Sequence, residues 1–176
     1  MKNNIKRICI IGGSGTGKTT LADNLGKQLY LPVIHIDGLN YLENWVEQDK
    51  KERDKKIIEE ANKEKWIMDG TYRSTLDYRL NNADIVIYLD YSTISQVKGV
   101  LQRFIINHGK EKNEIAGCKE QMNWKFLSFV INWRKNKRSE IIERLRNIDS
   151  KKVYIFNSRR KLNKWFKQEF KSKIIC

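Results

Sequence analysis

The chain has 176 residues, 40% of them apolar, enough for one domain with a sizeable core and too many for a disordered chain. Its formal net charge of +14 is uneven: residues 1–97 carry 14 Lys/Arg against 14 Asp/Glu, whereas residues 98–176 carry 21 against 7, which suits an anionic partner or solvated basic helix faces there. The first apolar run is too short for a secretory signal and no stretch nears the roughly 20 residues of a membrane helix, so a cytoplasmic chain without a membrane partner is expected.

Cys9, Cys118 and Cys176 are widely spaced and accompanied by two histidines, which disfavours a zinc site and suits free thiols. Pro32 is the single proline, and no Gly/Ser-rich or repeated tract interrupts the chain, so residues 1–176 read as one domain.

Near-continuous apolar runs over residues 8–11, 33–36, 66–68, 85–89 and 153–156 predict strands of a parallel sheet buried on both faces. Leu21, Leu25 and Leu29 predict a helix behind the first strand, and residues 48–65 a charged surface helix around Ile57, Ile58 and Ala61. A short helix is predicted over 74–80, and another from Ser92 or Thr93, either of which can cap it. Residues 124–146 predict a long helix with Trp124, Leu127 and Ile131 on one face and Ile141 and Leu145 continuing an apolar side; residues 161–170 close the chain. Strand alternating with helix implies an α/β fold with helices on both faces of the sheet. The polar stretch 107–123, with Gly109 and Gly117, is too long for an ordinary connection and reads as a lid or a disordered segment.

The first strand is followed by Gly12-Gly13-Ser14-Gly15-Thr16-Gly17-Lys18-Thr19, then Thr20, which satisfies G-x-x-x-x-G-K-[ST] between a strand and a helix. Glycines let the backbone turn so that several N–H groups converge on phosphate oxygens, and the helix N-terminus adds partial positive charge. The motif predicts binding of a nucleoside triphosphate, ATP with Mg²⁺, with Lys18 reaching the β- and γ-phosphates and the Thr19 hydroxyl serving the metal.

Such a loop needs a carboxylate near its metal, and ligands of open α/β sheets gather at the carboxyl ends of strands. Asp37, Asp69 and Asp90 stand there, although aspartate also favours such turns for its own hydrogen bonds, and Asp90 reads as structural. His35, two residues before Asp37, is expected to point to the same side of the strand and reads as a core histidine; His108 reads as a surface residue. Arg73 and Arg79 flank the short helix, Arg103 leads into the candidate lid, Arg134 and Arg138 follow it, and Arg159 follows the last strand. Cations of this kind can stabilise a migrating phosphoryl group, or be ordinary exposed charges.

The segment Asp69-Gly70-Thr71-Tyr72-Arg73 resembles the Asp-Gly-x-x-Arg segment of adenylate kinases. That resemblance implies that Asp69 serves Mg²⁺, through water, and that Arg73 grips the phosphate of an acceptor nucleotide. Asp37 lies where related small-molecule kinases place an acid near the acceptor. The order Gly-rich loop, LPVIHIDGLNY, WIMDGTYRSTLDYRL, ADIVIYLD, a segment holding Gly117-Cys118, and VYIFNSRR resembles the bacterial DNA topology modulation proteins, which are related to adenylate kinases, over nearly the whole chain. It implies a three-layer fold like that of nucleoside-phosphate kinases: a parallel five-stranded sheet flanked by helices, with a helical lid at about 107–123. Ser158-Arg159 follows the last strand, where nucleotide kinases often pass the chain over the adenine. Residues 101–108 carry one arginine, Arg103, where the relatives carry several.

Two function classes follow. One is a kinase moving the ATP γ-phosphoryl group to a small acceptor such as a nucleotide or nucleoside, with Lys18, Arg73 and Arg103 catalytic and Asp37, Arg73 and Arg79 at the acceptor. The other is a nucleic-acid-associated ATPase or DNA-binding protein that uses the basic C-terminal half, with Trp124, Phe126, Phe129 and Trp133 among its cations. Those aromatics also fall at helical core spacing, and core packing is the expectation for them. A nucleotide binder without chemistry is a third possibility.

Overall fold

A computed structural model describes residues 5–112, 115–120, 122–148 and 153–170. In chain order these form β1 (Arg7–Gly12), α1 (Lys18–Leu29), β2 (Val33–His35), α2 (Ile36–Asn40), a small hairpin of β3 (Tyr41–Leu42) and β4 (Val46–Glu47), and α3 (Lys50–Asn62). There follow β5 (Trp66–Asp69), α4 (Leu76–Asn82), β6 (Ile85–Leu89), α5 (Thr93–Asn107), a second hairpin of β7 (Glu111–Lys112) and β8 (Ile115–Lys119), α6 (Trp124–Arg146), β9 (Val153–Phe156) and α7 (Arg159–Phe170). Three helices begin where short polar side chains can accept from the first free N–H groups: Asp49 before α3, Ser92 before α5 and Asn123 before α6.

The five longer apolar runs form one parallel sheet in the order β2-β5-β1-β6-β9. Its register pairs Cys9 with Met68 on one side and with Val86 on the other, so β1 is central. Because side chains alternate across a strand, each strand serves two cores. Ile8, Ile10, Ile67, Ile85 and Ile87 meet Leu21, Ala22 and Leu25 of α1 and Leu162 and Phe166 of α7. Cys9, Ile11, Met68, Val86 and Tyr88 meet Ile57 and Ala61 of α3, Leu76 and Leu80 of α4, and Trp133, Ile141 and Leu145 of α6. The result is the expected three-layer α/β arrangement. The strand order reverses beside β1, where open α/β sheets hold their ligands.

Three expectations are corrected. β2 ends at His35 and the chain turns into α2, so Asp37 lies in a helical first turn and does not share a strand face with His35. The segment 107–123 is not a helical lid: its described residues carry a short antiparallel hairpin, with Gly109 and Gly117 in left-handed conformation ending α5 and bending β8. That hairpin docks on the first one, with the Trp45 indole donating to Lys119 O (3.0 Å) and the buried Cys118 Sγ lying 3.2 Å from both Trp45 N and Leu42 O.

The third concerns α6, which buries Val130, Trp133, Ile141 and Leu145 and leaves Trp124 85% and Ile131 48% exposed. Its rotation follows Trp133, packed under the Gly-rich loop, and Ile141, from which Ile131 lies about 80° around the helix. Phe129 is exposed as well. Of the aromatics expected in the core, Trp133 alone is fully buried.

Among the described residues no helix is long and apolar enough to cross a membrane.

Candidate active site at the carboxyl edge of the sheet

The Gly-rich loop leaves β1 at Gly12 and delivers the chain into α1 at Lys18. Among the described residues no side chain caps α1, whose preceding residue, Gly17, is left-handed; an uncapped helix start presents N–H groups to an anion. Gly15 combines a left-handed φ of +75° with close packing: a Cβ there would lie 2.2 Å from Gln96 O. From the other side, a Cβ on Gly99 would lie 2.0 Å from Gly15 O, so loop and α5 touch backbone to backbone.

The loop is also tied down internally. Thr16 Oγ1 donates to Gly13 O at 2.8 Å, and Lys18 Nζ donates to the same carbonyl at 2.9 Å. Thr71 Oγ1 lies 3.0 Å from both Gly12 N and Gly12 O, clamping the loop's start to the end of β5. Ser14 is half-buried, Thr20 follows in the first turn of α1, and Arg159 Nη2 reaches Gly15 O at 3.5 Å from the start of α7.

Beside the loop, Thr19 Oγ1 donates to Asp69 Oδ2 at 3.0 Å. The other Asp69 oxygen lies 2.5 Å from His35 Nδ1, and His35 Nε2 lies 3.2 Å from Asp23 Oδ1 on α1. Mg²⁺ is a hard cation that takes oxygen donors and is usually held by one or two protein groups with water and phosphate oxygens. The Thr19 hydroxyl and the buried Asp69 carboxylate are that donor set, so these residues fit the ion. His35 is therefore no isolated core histidine: each ring nitrogen faces a carboxylate oxygen.

On the β2 side, Tyr72 donates its hydroxyl to Asp37 Oδ1 at 2.9 Å. Burial first, and then the Asp37 charge, push the Tyr72 phenol far above its ordinary range, so it stays a proton donor. Arg53 of α3 stacks over the Tyr72 ring, 5.1 Å from its centroid, and donates to Asn40, Asp54 and Ser74. Arg73 is half-exposed and donates from Nε to Glu140 of α6 at 2.8 Å.

Arg79 is corrected. Expected at the acceptor with Arg73, it is wholly buried, and its guanidinium donates to Gly70 O and Tyr72 O at 2.9 Å each. Burial lowers its pKa, and the two carbonyls take up its fork. It holds the turn that presents Thr71, Tyr72 and Arg73 and does not face a ligand.

Arg103 lies apart from the β5 turn and pairs with the buried Glu120 at the base of the second hairpin, 2.9 Å away. Asp90 receives Arg138 at 2.9 Å and lies 3.3 Å from Arg134, which fastens α6 to the end of β6. His108 packs edge-on against Phe104.

Sequence reasoning did not single out Thr71, Gln96 or Asp23. Asp23 had a visible signal, since it stands one helical turn after Thr19 on the same face of α1. Gln96, fully buried with its amide nitrogen on Tyr91 O at 2.9 Å, had none.

This site sits on the fold of the P-loop kinases. A gluconokinase from Sinorhizobium meliloti 1021 superimposes with a TM-score of 0.57 at 16% identity, over 97% of this chain and 92% of that one. A shikimate kinase from Bacteroides thetaiotaomicron gives 0.56 at 17% identity, over 96% and 100%. A shikimate kinase from Acinetobacter baumannii, solved in complex with shikimate, gives 0.56 at 15%, over 98% and 97%. The family model for ATPases associated with various cellular activities (AAA) matches residues 8–90, from β1 through the end of β6. No curated protein sequence matches the chain. The fold is thus the one these solved small-molecule kinases share, with a glycine-rich phosphate-loop motif after its first strand.

Proposed function

We propose that the chain is an ATP-dependent phosphotransferase that moves the γ-phosphoryl group of ATP to a small acceptor such as a nucleotide or nucleoside. The observation that carries this reading is the contact of Thr19 with Asp69 at 3.0 Å, directly beside a complete phosphate-binding loop. In this reading Gly12 through Thr20 hold the triphosphate, with backbone N–H groups and the start of α1 as anion donors. Lys18 leaves Gly13 O to reach the β- and γ-phosphates. Thr19 and Asp69 hold Mg²⁺, the latter through water; the ion, when bound, neutralises charge that grows on the phosphates.

Asp37 and Arg73 belong to the acceptor side, Arg73 exchanging Glu140 for an acceptor phosphate. Arg159 lies over the adenine side of the loop. Arg103, paired with Glu120, joins the reaction only if the second hairpin shifts. The fuller resemblance to the DNA topology modulation proteins is part of this reading and rests on the quoted segments alone.

The test is Mg²⁺-dependent ADP release, wild type beside Lys18→Ala, with a panel of nucleoside monophosphates and nucleosides. Stimulation by one acceptor, lost in the variant, is expected; ATP turnover unaffected by Lys18→Ala would sink the proposal.

A second reading, nucleic-acid binding, draws support from the exposed Trp124 and from the solvent face of α7, where Arg159, Arg160, Lys161, Lys164 and Lys167 are all exposed. It requires DNA binding that falls steeply with salt; weak binding with fast acceptor-dependent turnover favours the first.

A further inference from the structure

Beside the phosphate loop runs a line of four side chains drawn from three elements, from the half-exposed Asp23 inward to the buried Asp69. Asp23 and Thr19 lie one turn apart on α1, His35 ends β2, and Asp69 ends β5. His35 is the middle of this line: Nε2 is 3.2 Å from Asp23 Oδ1, and Nδ1 is 2.5 Å from Asp69 Oδ1. The second Asp69 oxygen accepts from Thr19 at 3.0 Å. Both carboxylate oxygens of Asp69 are thereby engaged by named partners in a residue only 5% exposed.

A carboxylate that serves a metal through water needs its plane and its distance held, because the water it orients has no other rigid anchor. One oxygen held by Thr19 leaves the carboxylate free to rotate about that contact. A second hydrogen bond to the other oxygen removes the rotation. Such outer partners typically affect metal affinity by about 10- to 100-fold when removed.

We infer that His35 is a positioning residue for the metal site: its Nδ1–H holds Asp69 in the orientation that serves Mg²⁺, and Asp23 at Nε2 holds the ring. This rests on the kinase reading of the loop, and it goes beyond that reading in giving His35 and Asp23 a role. A merely structural histidine would tolerate any replacement that fills its space; a positioning one must keep a donor at the Nδ1 position. Asparagine places an amide N–H near Nδ1 and glutamine places one near Nε2, so the two variants separate the contacts.

The experiment measures Mn²⁺, substituted for Mg²⁺, by electron paramagnetic resonance in the presence of a non-hydrolysable ATP analogue. Binding of the analogue without metal is measured in parallel. His35→Asn should hold Mn²⁺ within about threefold of wild type, while His35→Gln and His35→Ala should lose about tenfold or more. Metal-free analogue binding should move little in any of them. Asp23→Asn should fall between.

A readout independent of nucleotide is available too, since the chain has only two histidines. The ¹⁵N spectrum of the metal-free protein should show His35 Nδ1 carrying its hydrogen. If His35→Ala binds Mn²⁺ as wild type does, or if Asn and Gln replacements behave alike, the inference is overturned and the kinase reading stands. If wild type itself binds no analogue, both fall together.

Discussion

The two sides of the candidate site are built differently. On the phosphate side, a contiguous stretch, Gly12–Thr19, is shaped by its own backbone: Thr16 and Lys18 turn back to Gly13 O, and the loop lies against α5 with no room for a Cβ at Gly15 or Gly99. On the β2 side, proposed above to receive the acceptor, Asp37, Arg53, Tyr72, Arg73 and Glu140 come from α2, α3, the turn after β5 and α6, and meet through half-exposed hydrogen bonds and ion pairs. Backbone recognition of phosphate needs only glycines at the right spacing, and it tolerates any side chains around it. Recognition of an acceptor is made of side chains, each of which can change pairing when a ligand arrives. Under the proposed kinase reading, the backbone of the phosphate loop is preorganised, with Lys18 changing partner, and acceptor specificity falls to the side chains on the β2 side.

The largest test of that contrast is Lys18→Ala. Loss of the cation at the transferred phosphoryl group should cost on the order of 10²- to 10³-fold in turnover, read as ADP release. Next comes Arg79→Leu, which takes the guanidinium donor from the buried Gly70 carbonyl and the part-buried Tyr72 carbonyl. Urea unfolding should show a loss of about 2–4 kcal/mol, and a smaller loss would mean that the β5 turn does not depend on the buried guanidinium.

Asp69→Asn should leave the unfolding midpoint nearly unchanged but lower turnover by about 10- to 100-fold and flatten its Mg²⁺ dependence. Arg73→Ala should raise the acceptor KM by about tenfold while the ATP KM moves little. Equal effects on both constants would erase the division between the two sides. Smallest is Trp124→Ala: with that ring 85% exposed, stability should change by no more than about 0.5 kcal/mol. Trp133→Ala, by contrast, should cost about 3–5 kcal/mol, because that ring fills space beneath the loop.

The amino-acid sequence by itself determined the layered architecture. Apolar runs marked all five strands of the sheet, and helices lie within the expected 48–65, from the expected cap at Ser92, and over the expected 124–146. It also determined that a loop of phosphate-binding pattern joins β1 to α1, because that pattern is local and glycine-dependent.

Only the tertiary structure decided which way α6 turns. Its sequence offers two apolar flanks, and the choice fell to whichever could fill the space beneath Gly13 and against α4. Likewise Arg79 and Arg73, six residues apart and similar in sequence context, have opposite fates: one is folded under the turn onto two carbonyls, the other lies on its surface against Glu140. The partners of His35 lie 12 and 34 positions away in the chain, on elements that become neighbours only when β2 pairs with β5 and α1 packs across them. Short-range patterns are encoded in adjacent residues and can be read there. Burial and pairing of individual charges depend on which elements come to lie beside one another, and that is a property of the packed chain.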